Sequence, residues 1–195
     1  MEGHNTKRTE KIREEYVRIL DFLPQGMTNL PVYRRFPVAQ SVGCDYFVLL
    51  EVTPKQDANF KMQEKVYVGE GERDKVKTIK RRIKYDELTS NAKSEIEEVV
   101  ESIIDEKQDY FVSFFNKAKP ISLKHHQLEL LPKVGKKQLM KLLEEREKKP
   151  FTSFDDIDKR VKGLPGSKKL IIDRVMEEMM DEVDHRLFVP EFGRD

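Results

Sequence analysis

The sequence predicts an α+β fold. Residues 1–120 read as a small, partly open β-barrel carrying one long helix. Residues 121–195 read as an all-α region of two consecutive helix–hairpin–helix units, with the boundary near Ile121. Three observations carry this. Between residues 15 and 119, short runs rich in β-branched and aromatic residues are separated by frequent proline and glycine signals. Within that region the apolar spacing changes, over residues 88–105, from two to about 3.6. After Pro120 the leucines fall at helical spacing, and two glycine-containing breaks are each followed by paired lysines.

Taken in order, residues 1–14 are polar and read as a loose start. In "YVRILDFLPQG", Val17, Ile19, Asp21 and Leu23 alternate with Tyr16, Arg18, Leu20 and Phe22, and both sets are mostly apolar. The β-branched content and the closing Pro24 and Gly26 favour a strand; a helix continuing from Glu10 is the competing reading. Residues 25–45 read as loops with one short strand near Val38. Tyr46–Thr53 is the clearest strand, stopped by Pro54. Lys65–Val68 is another, ended by Gly69 and Gly71. "KVKTIKRRIKY" alternates again. Leu88, Ala92, Ile96, Val99, Val100, Ile103 and Ile104 then mark an amphipathic helix with an acidic outer face, capped by Thr89 or Ser90. "DYFVSFFNKAKP" reads as a return to strand, stopped by Pro120.

Beyond Pro120, helices are expected around Leu128–Leu131 and Leu139–Leu143. A third starts at Ser153, with Asp156 three residues later in the manner of a capping box. "GLPG" at 163–166 breaks it. A fourth runs from Ser167 towards Leu187, with Leu170, Ile171, Val175, Met179 and Val183 facing a core.

Composition narrows the function. The chain has 195 residues, 37 Lys+Arg against 36 Asp+Glu, and a net charge of +1. No uniformly basic coat is present, so any affinity for polyanions must come from segregated patches. The single cysteine, Cys44, excludes an intramolecular disulfide and suits a reducing cytoplasm. The four histidines have no recognised ligand spacing, and no apolar run is long enough for a membrane span. No cofactor, metal, membrane or small-molecule substrate is expected. Nucleophile–base pairings that would signal an enzyme are absent, and the acids of 86–106 and 177–184 read as helical solvent faces. His125 and His126 read as contacts at the junction.

The sharpest signal is "LELLPKVGKKQLMKLLEER". Pro132 ends one helix, Gly135 offers backbone freedom at the turn, and Val134, Gly135, Lys136 and Lys137 open the next helix. The first amides of a helix have no intrahelical partner and sit at the positive end of its dipole, where a phosphate binds. The plan recurs at Gly163, Leu164, Pro165 and Gly166, followed by Ser167, Lys168 and Lys169. A plain αα-hairpin with solubilising lysines is the alternative.

"LPKVG" resembles the helix–hairpin–helix family, whose motif runs leucine–proline–glycine–aliphatic–glycine into a helix. Leu131, Pro132, Val134 and Gly135 match, and Lys133 stands where the first glycine is usual. The resemblance implies a tandem domain that grips duplex backbones without reading sequence, in some members with a monovalent cation on the hairpin carbonyls. More widely, "DYFVLLEV", "KRRIKYDELT", "FFNKA" and "HQLELLPKVGKK", in that order, resemble an uncharacterised archaeal family. Its members pair an OB-like small β-barrel with a tandem helix–hairpin–helix domain. That family is generally expected to bind nucleic acid, and its genomic neighbourhood of translation and ribosomal-RNA-modification genes favours RNA over DNA.

A second basic feature fits that barrel. In "KVKTIKRRIK", strand alternation puts Lys80, Arg82 and Lys84 on an exposed row and Ile79 and Ile83 on the core side. Such a row suits a nucleic-acid backbone, and Tyr67 and Tyr85 are the nearest candidates for base stacking. The alternative is an edge strand protected by lysines. The expected function is therefore a non-catalytic nucleic-acid-binding protein. The alternatives are a DNA-binding accessory protein of repair or recombination, and an adaptor that docks a protein partner.

Overall fold

The computed structural model describes residues 12–28, 31–123 and 125–191. Most of the polar start and the last four residues of the tail lie outside the described residues.

Five strands form one sheet: β1 (Tyr16–Leu23), β2 (Val38–Gly43), β3 (Leu49–Pro54), β4 (Lys65–Tyr67) and β5 (Val76–Arg82), in the order β4-β1-β2-β3-β5. Every pairing is antiparallel. Both faces are largely buried along β1, β2 and β3, which explains why both residue sets of β1 are apolar. A bulge between Ile19 and Asp21 shifts the alternation, so that Phe22 falls on the face of Val17 and Ile19 while Leu20 points the other way. Val17 and Ile19 join Ala39, Leu50, Val52, Val66 and Val76 on one face; Leu20, Val42 and Leu49 pack under the helices on the other. The two edges face one another across a single cavity lined by Tyr67 and Val68 on one side and by Ile79 and Arg82 on the other. The sheet is thus a curled half-barrel. β3 starts later than expected because Tyr46 and Phe47 are drawn into the turn from β2, with Phe47 at φ 56°.

One buried carboxylate organises that turn. Glu14 accepts the amides of Asp45 (2.7 Å), Tyr46 (3.0 Å) and Val48 (3.1 Å). It occupies the space that a side chain at position 43 would need, since a Cβ on Gly43 would lie 1.9 Å from the Glu14 carboxyl carbon.

The helix α1 (Ser90–Glu106) buries Ala92, Ile96, Val99, Val100, Ile103 and Ile104, the face its spacing predicts, and Thr89 caps it by accepting the Ala92 amide at 3.1 Å. It packs on β1 and on α5 (Ser167–Met179). The expected strand at 109–119 is instead a helix, α2 (Gln108–Lys117). Aromatic residues favour strands only where a sheet edge awaits them. Here a helix puts Phe111, Val112 and Phe115 on one buried face, and Phe111 and Phe114 meet Phe188 at 5.6 and 5.1 Å between ring centroids.

The helix expected around Leu128–Leu131 is a single 3-10 turn, Gln127–Leu130. Its N-terminal end is closed reciprocally by His126, whose Nδ1 accepts the Leu128 amide (3.1 Å), and by Glu129, which accepts the His126 amide (2.8 Å). Burial, with Arg146 as the next cause, holds the His126 imidazole below its usual pKa. Then follow α3 (Lys136–Lys148) and α4 (Phe154–Arg160). Ser153 caps α4 through the Asp156 amide (3.0 Å), whereas Asp156 reaches back to the Thr152 amide (3.1 Å).

The last helix stops at Met179, short of the expected Leu187. The chain turns at Asp181 (φ 63°) and returns along α5. Glu178, expected on a solvent face, is buried and holds this return segment: it accepts Arg174 Nε (2.8 Å) and the amides of Leu187 (2.7 Å), Phe188 (2.9 Å) and Val189 (2.8 Å). One apolar cluster runs across Pro120, from Leu20 and Val42 through α1 to Leu142, Ile157 and Leu170.

Candidate nucleic-acid interface

The first hairpin follows Leu131, which is buried, and Pro132. Lys133 takes φ 62°, the left-handed conformation that a glycine would occupy at little cost. Gly135, by contrast, caps α3 in ordinary extended backbone (φ −88°, ψ 178°), so the freedom expected there is used two residues earlier. Val134 is buried as the anchor of the turn.

Gly135, Lys136 and Lys137 are exposed. α3 has no side-chain cap, and the first backbone bond into it runs from the Leu139 amide to the Gly135 carbonyl. Among the described residues, no acceptor receives the amides of Lys136, Lys137 and Gln138, and no acid pairs with Lys133, Lys136 or Lys137. Three amides at a helix N-terminus and three cations therefore face solvent together.

The second hairpin differs. Gly163 (φ 93°) and Gly166 (φ 108°) do use left-handed backbone. Ser167 is fully buried: its amide goes to Asp158 Oδ1 (2.7 Å) and its hydroxyl donates to the Phe154 carbonyl (3.1 Å). Lys168 Nζ lies 2.7 Å from Glu101 and 3.2 Å from Asp105. Lys169 Nζ lies 2.7 Å from Asp173 and 3.0 Å from Glu97. Hydrogen bonding to Glu101 and to Asp173, respectively, is the largest cause that raises the two lysine pKa values. Glu97, Glu101 and Asp105 on the acidic face of α1 are thus spent on this hairpin, where α1 meets α5.

The basic strand is also rearranged. Register shifts against β3 bulge Lys77 and Lys80 out of β5, so the side-chain period becomes three. Val76, Ile79 and Arg82 consequently share the inner side, and Ile79, expected in the core, is 38% exposed on the rim of the inner cavity. Lys80, Arg82 and Lys84 do not form one row. Lys80 sits 3.3 Å from Glu51, which Arg81 also holds through two bonds of 3.0 and 3.1 Å; Arg81 bonds Glu87 too. Lys84 precedes a 3-10 turn, Tyr85–Glu87, where its amide donates to Glu87 (2.9 Å).

Neither expected stacking residue stands clear. The Tyr67 hydroxyl accepts the Gly71 amide (3.1 Å) and its ring packs edge-on to Tyr16. Tyr85 is part-buried against the core beneath Lys93. The prominent exposed rings are Tyr33 (75% exposed) and Phe36 (69%), in the segment "YRRF" between β1 and β2. Aromatics interleaved with arginines between two prolines were the available signal. Among the described residues, no cluster of His, Cys, Asp or Glu has the proximity to hold a metal ion, and no helix is long and apolar enough to cross a membrane.

These features define an α+β protein in which a curled antiparallel sheet and a set of helical hairpins share a core and leave one hairpin's amides and lysines open to solvent. The chain belongs to the family described as "Protein of unknown function (DUF655)", whose model matches residues 13–190. A relative is the uncharacterised protein MJ0038 of Methanocaldococcus jannaschii. It is 39% identical over 176 residues, which cover 90% of this chain and 79% of that protein. Among solved structures, the crystal structure of Af1531 from Archaeoglobus fulgidus, described as DUF655, matches with a TM-score of 0.83 and 44% identity. The match covers 91% of this chain and 100% of that one.

Proposed function

We propose that this is a non-catalytic nucleic-acid-binding protein that holds the sugar–phosphate backbone at the first hairpin, with RNA favoured over DNA. The observation that carries the reading is the group of amides at Lys136–Gln138 beside Lys133, Lys136 and Lys137, all without partners among the described residues. In a chain whose charges nearly balance, lysines without acids are a departure, and at a helix N-terminus they cost stability unless an anion arrives. The second hairpin then acts as a strut, with its lysines clamping α5 to α1.

We read the sheet as OB-like, because its order becomes a five-stranded ring if β5 meets β4. We read the two hairpins as helix–hairpin–helix units. The preference for RNA, in a translation or ribosomal-RNA setting, rests on the family resemblance of the sequence. The adaptor reading, which would use acidic helices as its charged surface, loses ground because Glu97, Glu101 and Asp105 of α1 are engaged within the chain.

The test is a binding series with single-stranded RNA, structured RNA, duplex DNA and single-stranded DNA at two or more salt concentrations. The parent protein and Lys136→Glu/Lys137→Glu are compared. Removing two phosphate contacts should weaken binding and lower the slope of log K against log salt by about 1.4–1.8. Unchanged affinity and slope in the folded variant, or no binding by the parent, overturns the proposal. A metal-supplemented cleavage assay on the same substrates is expected to show no turnover.

A further inference from the structure

We propose a second, chemically distinct site: a platform that stacks unpaired bases, formed by Phe36, in the wall of the cleft between the β1–β2 loop and the β3–β4 loop, and by the exposed Tyr33 on the turn that carries Arg34 to that cleft. It rests on the nucleic-acid reading above, but it involves other residues and a different part of the ligand.

The aromatic display is built into the backbone. Pro31 and Pro37 bracket the segment, and a 3-10 turn, Val32–Arg34, is closed by the Arg34 amide on the Pro31 carbonyl (2.8 Å) and the Arg35 amide on the Val32 carbonyl (3.1 Å). The Arg35 guanidinium ties the turn back to the Thr28 carbonyl at 2.8 Å. Two rings are thus held outward on a pinned turn, although burying each would stabilise the fold by about 2 kcal/mol. The Arg34 guanidinium lies 5.6 Å from the Tyr33 ring centroid, an arrangement that offers a stacked base a second planar surface.

Beside Phe36 lies a cleft of about 1140 Å³. Its apolar floor includes Phe22 and Phe60, edge to face at 5.3 Å, and Phe36 forms part of its wall. Its rim carries Arg34, Lys55, Lys77 and Lys80. Among the described residues, Arg34, Lys55 and Lys77 have no acidic partner, and Lys77 reaches the cleft because the β5 bulge turns it there. Two acids line the cleft. Asp21 is buried and accepts the Thr89 hydroxyl at 2.6 Å, so its charge is engaged inside; Asp57 stands on the β3–β4 turn. The cleft is therefore aromatic at its entrance and predominantly cationic at its rim. A single-stranded nucleic acid meets both demands, because every base has a face to stack and every linkage a charge to neutralise. A duplex meets only the second, since its bases are already stacked.

The test uses the full chain and an oligonucleotide carrying 2-aminopurine, whose fluorescence falls when the base stacks. The parent protein should quench the single strand on binding. Tyr33→Leu/Phe36→Leu keeps apolar bulk, removes both rings, and should unfold at the parent's temperature because neither ring is buried. Its affinity for the single strand should fall roughly tenfold to a hundredfold with loss of the quench, and its duplex affinity should be unchanged. Lys136→Glu/Lys137→Glu should weaken both ligands and leave the quench of the remaining complex intact. Retained single-strand affinity and quenching in the leucine variant overturn the platform while sparing the hairpin. Equal displacement by polyglutamate and by unlabelled RNA of the same charge overturns it as well, in favour of a surface for acidic proteins. If the parent binds no nucleic acid, both proposals fail together.

Discussion

Glu178→Ala should be among the most destabilising single substitutions in the C-terminal half. The carboxylate is buried, and all four of its bonds are to groups that have few alternatives: Arg174 Nε and the amides of Leu187, Phe188 and Val189. Arg174 is itself buried; its other contacts are Glu177 at 3.6 Å and the His185 carbonyl. Truncating one member of such a pair leaves a buried charge and orphaned amides, at a cost of about 3–5 kcal/mol. The chain can limit the loss by releasing residues 186–190 to water, but that exposes Phe188 and Val189, about 1.5–3 kcal/mol each, and opens the ring contacts with Phe111 and Phe114. Either route gives a similar figure. Urea denaturation should show the loss directly, and the melting temperature should drop by roughly 10 °C for a chain of this size. Glu182→Ala, at an exposed position nearby, is the control and should change stability by no more than about 0.5 kcal/mol. A loss below about 1 kcal/mol in Glu178→Ala would refute the view that this carboxylate holds the return segment.

Two further outcomes follow from backbone strain and from buried charge. Lys133→Gly relieves a left-handed lysine and should stabilise the fold by about 0.5–1 kcal/mol while weakening phosphate binding through the lost cation; a destabilised variant would mean that the lysine stem makes packing contacts. Burial pushes the Glu14 carboxyl up to about 7 from an ordinary 4.5, against the pull of the amides of Asp45, Val48 and Tyr46. The native state then holds a proton that the unfolded chain has released, so this group's contribution to stability falls as pH rises from about 4.5 to about 7 and is flat above. The span is about 3 kcal/mol. Glu14→Gln should remove that slope, and urea midpoints at pH 5 and pH 8 that shift as much in the variant as in the parent would show that Glu14 is not its source.

Much of the fold was legible because element type is written in local spacing. The core face of α1, from Ala92 to Ile104, follows from a 3.6 period, and the caps at Thr89 and Ser153 follow from one side chain reaching an amide three residues on. β1 was legible as a strand from its β-branched content, whereas the reason for its apolar character on both sides, a sheet covered twice, came only with the fold. Of the interface, the motif residues of the first hairpin were legible as a helix N-terminus with two lysines. Which residue carried the left-handed backbone was not, because Lys133 lacks the glycine that marks such a position. The segment 108–117 misled because its aromatics suit either a strand or a buried helical face, and only Phe188, far along the chain, decides between them.

By itself, the sequence determined which stretches form strands or helices where periodicity and caps agree, and that charge had to be segregated in a chain of net +1. Only the tertiary structure decided where that charge is free. Lys168 and Lys169 look in sequence like Lys136 and Lys137, yet α1 lies against α5 and neutralises the first pair, while no acid among the described residues approaches the second. Bulges in β5 scattered a cationic row that strict alternation would have aligned, and the turn at Val32–Arg34 left Tyr33 and Phe36 outside the core. The physical reason is common to these cases. Local pattern acts over one or two turns of chain, whereas ion pairing, register and exposure depend on which distant segment arrives alongside.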